Sequence, residues 1–184
     1  MLCSKNRLRG QVTVTVLDKS GKVKTLPKSF FRKMFFLPSR KMIFRHHNTI
    51  TNQGDGLLAD LMSNTPTQNK VDGTNGYMIV GNGWTGTSTK SNTNVNKAVN
   101  TYKKLDEGFP QTKYPFGESG QNVVLYRTSF LAGELVGDGI NEVALMNGNT
   151  VEAKCLAYAQ ITPSVNVTVA DTLMIDWQIT VSGS

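Results

Sequence analysis

The sequence predicts a mainly β protein, an antiparallel β-sandwich of the jelly-roll or immunoglobulin-like kind, with one short helix and a basic N-terminal hairpin and arm. Two observations predict this class. Segments that alternate apolar and polar residues recur about every ten residues in the C-terminal third, separated by turns rich in Gly and Asn. A further alternating segment, residues 11–17, lies near the N-terminus.

The first predicted element is a hairpin. Val12, Val14 and Val16 share one face of a half-buried strand. Residues 18–21 have the Asp, Ser and Gly composition of a turn, so residues 22–26 are expected to return as the second strand.

Residues 27–47 combine phenylalanines with basic side chains, and Pro38 interrupts any helix there. Two interpretations are open. The aromatic rings pack on the protein's own core beneath the basic stems, or the segment is an arm that docks on a neighbour through aromatic and Arg contacts. Residues 1–47 hold twelve Lys and Arg against one Asp, a net charge of +11, whereas the remainder has a net charge of −4. This asymmetry predicts an acidic partner for the N-terminal quarter.

Residues 52–64 are the clearest helix. Thr51 or Asn52 can cap it, Asp55 lies in its first turn, and the apolar residues form one stripe. The stripe consists of Leu57, Leu58, Leu61 and Met62.

The middle of the chain is predicted to contain a buried strand at 77–80 and a long polar surface loop at 81–99. A short strand at 102–105 and an irregular segment at 108–120 follow.

Four strands are predicted in the last third, at residues 122–130, 142–146, 152–161 and 172–181. The last strand has the most regular alternation. Its expected buried face consists of Leu173, Ile175, Trp177, Ile179 and Val181.

The sequence gives no pattern typical of a catalytic, cofactor or metal site. Residues 81–86 match G-x-G-x-x-G, but Thr87 and the polar residues after it do not favour the helix that a dinucleotide site needs, so we interpret them as a surface turn. His46 and His47 are adjacent and would point to opposite faces of a strand. We therefore expect a non-enzymatic protein without a cofactor or bound metal. Cys155 is expected to be a small apolar residue in a strand.

Three stretches together resemble structural proteins of tailed bacteriophages. Residues 47–54 read His-Asn-Thr-Ile-Thr-Asn-Gln-Gly and lead into the helix, and residues 78–83 read Met-Ile-Val-Gly-Asn-Gly. The third stretch comprises residues 124–134, 140–147 and 170–180, the last reading Ala-Asp-Thr-Leu-Met-Ile-Asp-Trp-Gln-Ile-Thr. The resemblance covers roughly residues 47–182 and implies a β-sandwich component of the virion.

The resemblance and the charge asymmetry together give a functional hypothesis. Residues 1–46 would form a basic hairpin and Phe-rich arm, and residues 47–184 a β-sandwich domain. The chain would be a capsid decoration (cement) protein that attaches to the major capsid protein lattice, stabilises the head and forms a homo-oligomer such as a trimer. The candidate partner-binding residues are Arg7, Arg9, Lys28, Phe30, Phe31, Arg32, Lys33, Phe35, Phe36, Arg40, Lys41 and Arg45.

Two alternatives stay open at this point. The chain would otherwise be a tail or baseplate component, or an adaptor that carries a fibre and contacts another virion protein. A nucleic-acid-binding role rests on the basic, aromatic segment alone, because no reader fold is recognisable. The first ten residues lack the apolar stretch of a secretory signal, and no apolar run reaches the ~18–20 residues of a membrane span. We therefore expect no membrane partner, and the resemblance to phage structural proteins implies assembly in the host cytoplasm and location in the virion.

Overall fold

The structure is a computed structural model that describes residues 7–26, 41–86, 90–113 and 122–182. Within these ranges the chain forms nine β-strands and one α-helix. The elements are β1 (Arg7–Leu17), β2 (Ile43–Ile50), α1 (Asn52–Leu61), β3 (Tyr77–Gly81), β4 (Lys103–Lys104), β5 (Gln111–Thr112), β6 (Val123–Phe130), β7 (Gly137–Met146), β8 (Cys155–Val167) and β9 (Thr172–Ser182).

All nine strands belong to one antiparallel sheet with the order β4-β3-β7-β8-β2-β1-β9-β6-β5. The predicted mainly β fold with one short helix is confirmed. The sheet curls into a half-barrel. The two-layer sandwich, jelly roll or immunoglobulin-like arrangement expected from the sequence is not confirmed.

The curl depends on a change of partner along β2. Residues 43–47 of this strand pair with β1, from Thr15↔Ile43 to Gln11↔His47. Residues 48–50 pair instead with β8, beginning at Asn48↔Ala159. The side chain of Asn48 lies against Gly10, where a Cβ atom would stand 1.7 Å from the Asn48 Oδ1 atom. A glycine at this position therefore gives the departing strand room to turn towards β8.

The concave side of the sheet holds the main hydrophobic core. Its largest fully buried side chains include Trp177 on β9, Phe130 on β6 and Leu145 on β7. The strands of both halves of the sheet therefore enclose the same core. A smaller apolar cluster lies on the opposite, outer face of β3, β7 and β8 and contains Ile79 and Tyr158. This outer cluster is covered by part of the loop that follows β3.

The predicted strands at 11–17, 77–80, 122–130 and 172–181 are confirmed, each within two residues at the C-terminal end. Several expectations were wrong in detail. The strand predicted at 142–146 begins five residues earlier, at Gly137, and Gln111–Thr112 form a short strand within the segment expected to be irregular. Val181, expected on the buried face of β9, is 52 % exposed. Residues 22–26 form only isolated bridges, Leu17↔Val23 and Thr25↔Lys41, and no regular second strand. The strand predicted at 152–161 begins at Cys155 and continues through Pro163 to Val167. In the helical stripe, Met62 is 87 % exposed and lies one residue beyond the end of α1.

β1 and β2 lie in the middle of the sheet. β1 pairs with β9 along its whole length, from Arg7↔Ser182 to Leu17↔Thr172. The boundary predicted between residues 46 and 47 falls inside β2. Residues 27–40, which the predicted arm contains, lie outside the described ranges, so the division into an arm and a domain stays a prediction.

Helix α1 is attached to β8 through its first turn. Thr51 is the N-cap, since its hydroxyl accepts from the Gly54 N–H at 2.9 Å and donates to the Cys155 carbonyl. The Gln53 side chain accepts from the Cys155 N–H at 2.9 Å. A Cβ atom on Gly54 would stand 2.1 Å from the Leu156 carbonyl oxygen. Only a glycine at position 54 therefore allows the backbone of α1 to approach the backbone of β8 this closely.

We expect Gly54→Ala to lower the free energy of unfolding by about 2 kcal/mol, because the added methyl group must displace backbone rather than a flexible side chain. Gly56→Ala is the matched control in the same helix, where a Cβ meets nothing within 4 Å. That variant should be unchanged or up to ~1 kcal/mol more stable, through helix propensity. Urea denaturation followed by circular dichroism measures both. Equal stabilities would mean that α1 does not pack against β8 in this way.

Candidate functional site

The structure describes four of the twelve candidate partner-binding residues. Arg7 opens β1, Arg9 lies two residues further on, and Lys41 and Arg45 lie just before and within β2. The other eight candidates lie outside the described residues, so their role stays a prediction. They are Lys28, Phe30, Phe31, Arg32, Lys33, Phe35, Phe36 and Arg40.

Three of these four residues, Arg9, Lys41 and Arg45, form a line of charge on the outer face of the sheet. Alternate residues from Lys41 through Ile43, Arg45 and His47 are all exposed, whereas Met42 is buried. Residues two apart on a strand share a face and stand roughly 7 Å apart. The pairs Thr13↔Arg45 and Gln11↔His47 place β1 beside them, so Arg9 continues the same face. We call Arg9, Lys41 and Arg45 the basic stripe.

No carboxylate neutralises the basic stripe among the described residues, whose four ion pairs all involve other cations. By strand pairing, the nearest acidic residue is Asp176 on β9. Asp176 pairs with Thr13 of β1, and Thr13 pairs in turn with Arg45 of β2. Its carboxylate is bonded to Arg127 at 2.6 Å. Ile43, 40 % exposed, lies within the stripe. The surface thus offers unpaired cations around an apolar side chain, a composition that suits an acidic protein partner.

The two histidines differ as expected for adjacent strand residues. His46 Nε2 accepts from the Thr162 N–H at 3.1 Å, which fastens β2 to the far part of β8. Partial burial lowers the pKa of His46, so its imidazole is neutral and can accept this bond at neutral pH. His47 is exposed on the same face as Arg45. The pair therefore does not form a joint metal site.

A buried glutamate organises the loop after β3. Glu142, on the outer face of β7, is fully buried. Its carboxylate accepts from the N–H groups of Gly83, Asn96 and Lys97, at 2.9 to 3.0 Å. The Asn96 amide at 3.0 Å and the Tyr158 hydroxyl at 2.5 Å complete the set. We call this arrangement the Glu142 clamp.

The clamp is structural chemistry and not acid–base chemistry. Both carboxylate oxygens of Glu142 are occupied by donors, and a buried charge is tolerated only when it is satisfied in this way. Burial, followed by the hydrogen bond to Glu142, raises the pKa of Tyr158 well above its usual range. Tyr158 therefore stays a hydroxyl donor throughout the physiological pH range. The sequence shows only scattered carboxylates around Glu142, because three of its five hydrogen-bond donors are backbone groups 45 to 59 residues away.

The glycine-rich motif at 81–86 belongs to the same loop. The Gly83 N–H is bound to Glu142, and the Trp84 N–H donates to Asn141 Oδ1 at 3.0 Å. The Trp84 ring packs on the outer cluster. These N–H groups are consequently occupied by the protein itself and do not face a phosphate site, in agreement with the interpretation as a turn.

Cys155 is buried in β8 as expected and is a free thiol. Burial raises its pKa to about 12, so it is not a reactive thiolate. Cys3 lies outside the described residues. Across the described ranges, no group of three or more His, Cys, Asp and Glu side chains is placed to hold a metal ion. No helix in the described part of the chain is long and apolar enough to cross a membrane.

Comparisons with known proteins add no family to these observations. No protein-family model, curated protein or solved structure matches the chain.

We expect Glu142→Gln to release the loop, because the new amide group places a donor where the carboxylate accepted only from donors. Amide hydrogen exchange at Gly83, Asn96 and Lys97 should accelerate at least tenfold, and the free energy of unfolding should fall by about 3 kcal/mol. Glu152→Gln changes an exposed glutamate in the turn before β8 and is the control. Unchanged exchange at the three amides in Glu142→Gln would show that the carboxylate does not hold the loop.

Proposed function

We propose that this chain is a non-enzymatic structural component of a tailed-bacteriophage particle, a decoration (cement) protein that binds the major capsid protein lattice and stabilises the head. The single observation that carries the proposal is the basic stripe: three exposed cations without a described ion-pair partner, around an exposed isoleucine. The resemblance of the strand and turn motifs at 47–182 to tailed-phage structural proteins supports the same role.

The stripe is suited to binding because it lies on a rigid support. β2 is hydrogen-bonded to β1 and then to β8, and β1 is bonded to β9 over eleven pairs. A partner therefore orders few backbone groups on association, and less conformational entropy is lost. Cations on a sheet face also steer an acidic surface into register before contact.

The partner proposed here is an acidic patch of the major capsid protein. Exposed Arg and Lys attract it over about a Debye length, and Ile43 gives a dry contact once the surfaces meet. A homo-oligomer such as a trimer would repeat the stripe around a symmetry axis of the lattice and multiply weak contacts by avidity. A decoration protein of this kind acts by binding alone and needs no catalytic residue and no cofactor.

Reversing the charges of the basic stripe should weaken attachment of the chain to the particle. We expect the triple variant Arg9→Glu, Lys41→Glu, Arg45→Glu to bind particles that lack the chain at least tenfold more weakly, since each reversed charge costs roughly 1 kcal/mol at the rim of an interface. The matched control reverses three other exposed lysines, Lys19, Lys70 and Lys104, and gives the same net charge. Co-sedimentation with particles of the phage that encodes the chain measures both.

Two results would contradict the proposal. If both triple variants bind alike, total charge and not the stripe is responsible. If the unaltered chain binds single-stranded DNA more tightly than particles, with the loss confined to the stripe variant, the partner is nucleic acid. Quantitative mass spectrometry of purified particles adds a separate check. Hundreds of copies agree with a head decoration, whereas a few dozen or fewer would assign the chain to the tail or baseplate.

A further inference from the structure

A second surface, remote from the basic stripe, has the features of a ligand site. A pocket of about 570 Å³ opens on the outer face of the sheet, between β3 and the segment that leads to β4. Its apolar floor is formed by Ile79 and Val95. The polar groups around it are Asn94, Asn100, Thr101, Tyr102 and Asn149. We call it the amide pocket.

The lining of the amide pocket selects a chemical class of ligand. It contains three carboxamides and two hydroxyls, groups that both donate and accept hydrogen bonds, and no Lys, Arg, Asp or Glu. A charged ligand would lose its hydration there without a counter-charge. A neutral ligand with many hydroxyl groups and apolar C–H faces matches both the polar rim and the apolar floor.

The pocket is preformed. Asn94 Nδ2 donates to the Tyr102 hydroxyl at 2.6 Å, so two of the polar groups hold each other in place. The Asn94 side chain also accepts from the Val95 N–H at 2.8 Å. The segment itself is tied to β7 by the Glu142 clamp at Asn96 and Lys97. A ligand therefore meets groups that are already ordered, which lowers the entropic cost of binding.

The site continues along β3. A second pocket of about 280 Å³ shares Asn149 with the amide pocket and is lined by Tyr77, Asn69 and Asn75. Its one charged lining residue is Glu152, whose carboxylate disfavours an acidic ligand. Tyr77 and Ile79 are two residues apart on one strand and face the same side, roughly 7 Å from each other. The two pockets are thus successive positions on one surface, and a ligand of repeated units would occupy both.

The geometry disfavours a peptide added as an extra strand. β3 is paired with β4 through Tyr77↔Lys104 and Met78↔Lys103, and with β7 on its other edge. Side chains on the face of the sheet, and not free backbone groups at an edge, are presented to the ligand. Such a surface binds through amides and hydroxyls, the groups that complement sugar hydroxyls.

We propose that the amide pocket and its neighbour bind a neutral oligosaccharide along the outer face of β3. The inference is independent of the function proposed above. In the sheet, β7 and β8 separate β3 from β2, and no residue of the basic stripe lines either pocket.

The test uses the full chain and an array of neutral and acidic oligosaccharides of four or more sugars, followed by calorimetric titration of those that bind. We expect saturable binding of at least one neutral oligosaccharide, with a Kd tighter than ~1 mM. Asn149→Ala should weaken it at least tenfold, since this exposed amide serves both pockets. Tyr102→Phe should weaken it as well, because the ring remains and only the hydroxyl is lost.

Asn64→Ala is the matched control, an exposed asparagine outside both pockets. Asn149 is exposed, so its variant should fold even if Tyr102→Phe does not, which a thermal melt checks. Three outcomes would overturn the inference: no neutral oligosaccharide binds more tightly than ~1 mM, Asn149→Ala binds as well as Asn64→Ala, or acidic oligosaccharides bind equally well. Particle binding by the stripe variants is measured separately, so either proposal can fail alone.

Discussion

The change of partner along β2 is the constraint on which the rest of the structure depends. One strand of eight residues pairs first with β1 and then with β8, so it joins two groups of strands that would otherwise form separate sheets. The inward residues of both groups then face one core, in which Trp177 and Leu145 are both buried. Because of the same change, β1 and β2 are no longer paired at Gly10. Gly10 has no side chain, so the Asn48 side chain fits against it. A larger residue there would displace the Asn48 side chain from this place between β1 and β8.

The outer face of the sheet carries two different surfaces because the described residues cover one half of it and leave the other open. Over β3 and β7, the loop after β3 lies on apolar side chains and is fixed by Glu142. A buried carboxylate carries a large desolvation penalty, which five hydrogen-bond donors offset only when all are in place. The parts of the loop at Gly83 and at Asn96 and Lys97 are thus held against β7, and the amide pocket lies beside the second of these parts. Over β1 and β2 the described residues leave the face open, and the basic stripe is exposed.

The sequence allowed the regular elements to be predicted, since their periodicity records which face is buried. β9 alternates from Leu173 to Ile179 as predicted, and the Thr51 cap locates the start of α1. β2 was not predicted from periodicity because residue type does not follow burial along it. Ile43 lies in its exposed row, and His46 lies in the row that is half-buried. The predicted end of β8, before Pro163, was too early, since the strand continues to Val167. No ladder pair of β8 with β2 or β7 falls between Gln160 and Val165, so the missing N–H of proline is not needed there. The Glu142 clamp has no recognisable sequence pattern, because any residue other than proline can supply a backbone N–H group.

The two surfaces respond differently to solution conditions, which follows from their chemistry alone. Contacts of the basic stripe with an acidic surface weaken as salt rises, because the Debye length shrinks from ~30 Å at 0.01 M to ~3 Å at 1 M ionic strength. Hydrogen bonds between neutral amides and hydroxyls in the amide pocket have no net charge to screen. The proposed attachment through the stripe and the proposed binding in the pocket would therefore be separable by ionic strength within one intact chain. Since β7 and β8 lie between the two surfaces, attachment through the stripe as proposed would leave the pocket open to a second ligand.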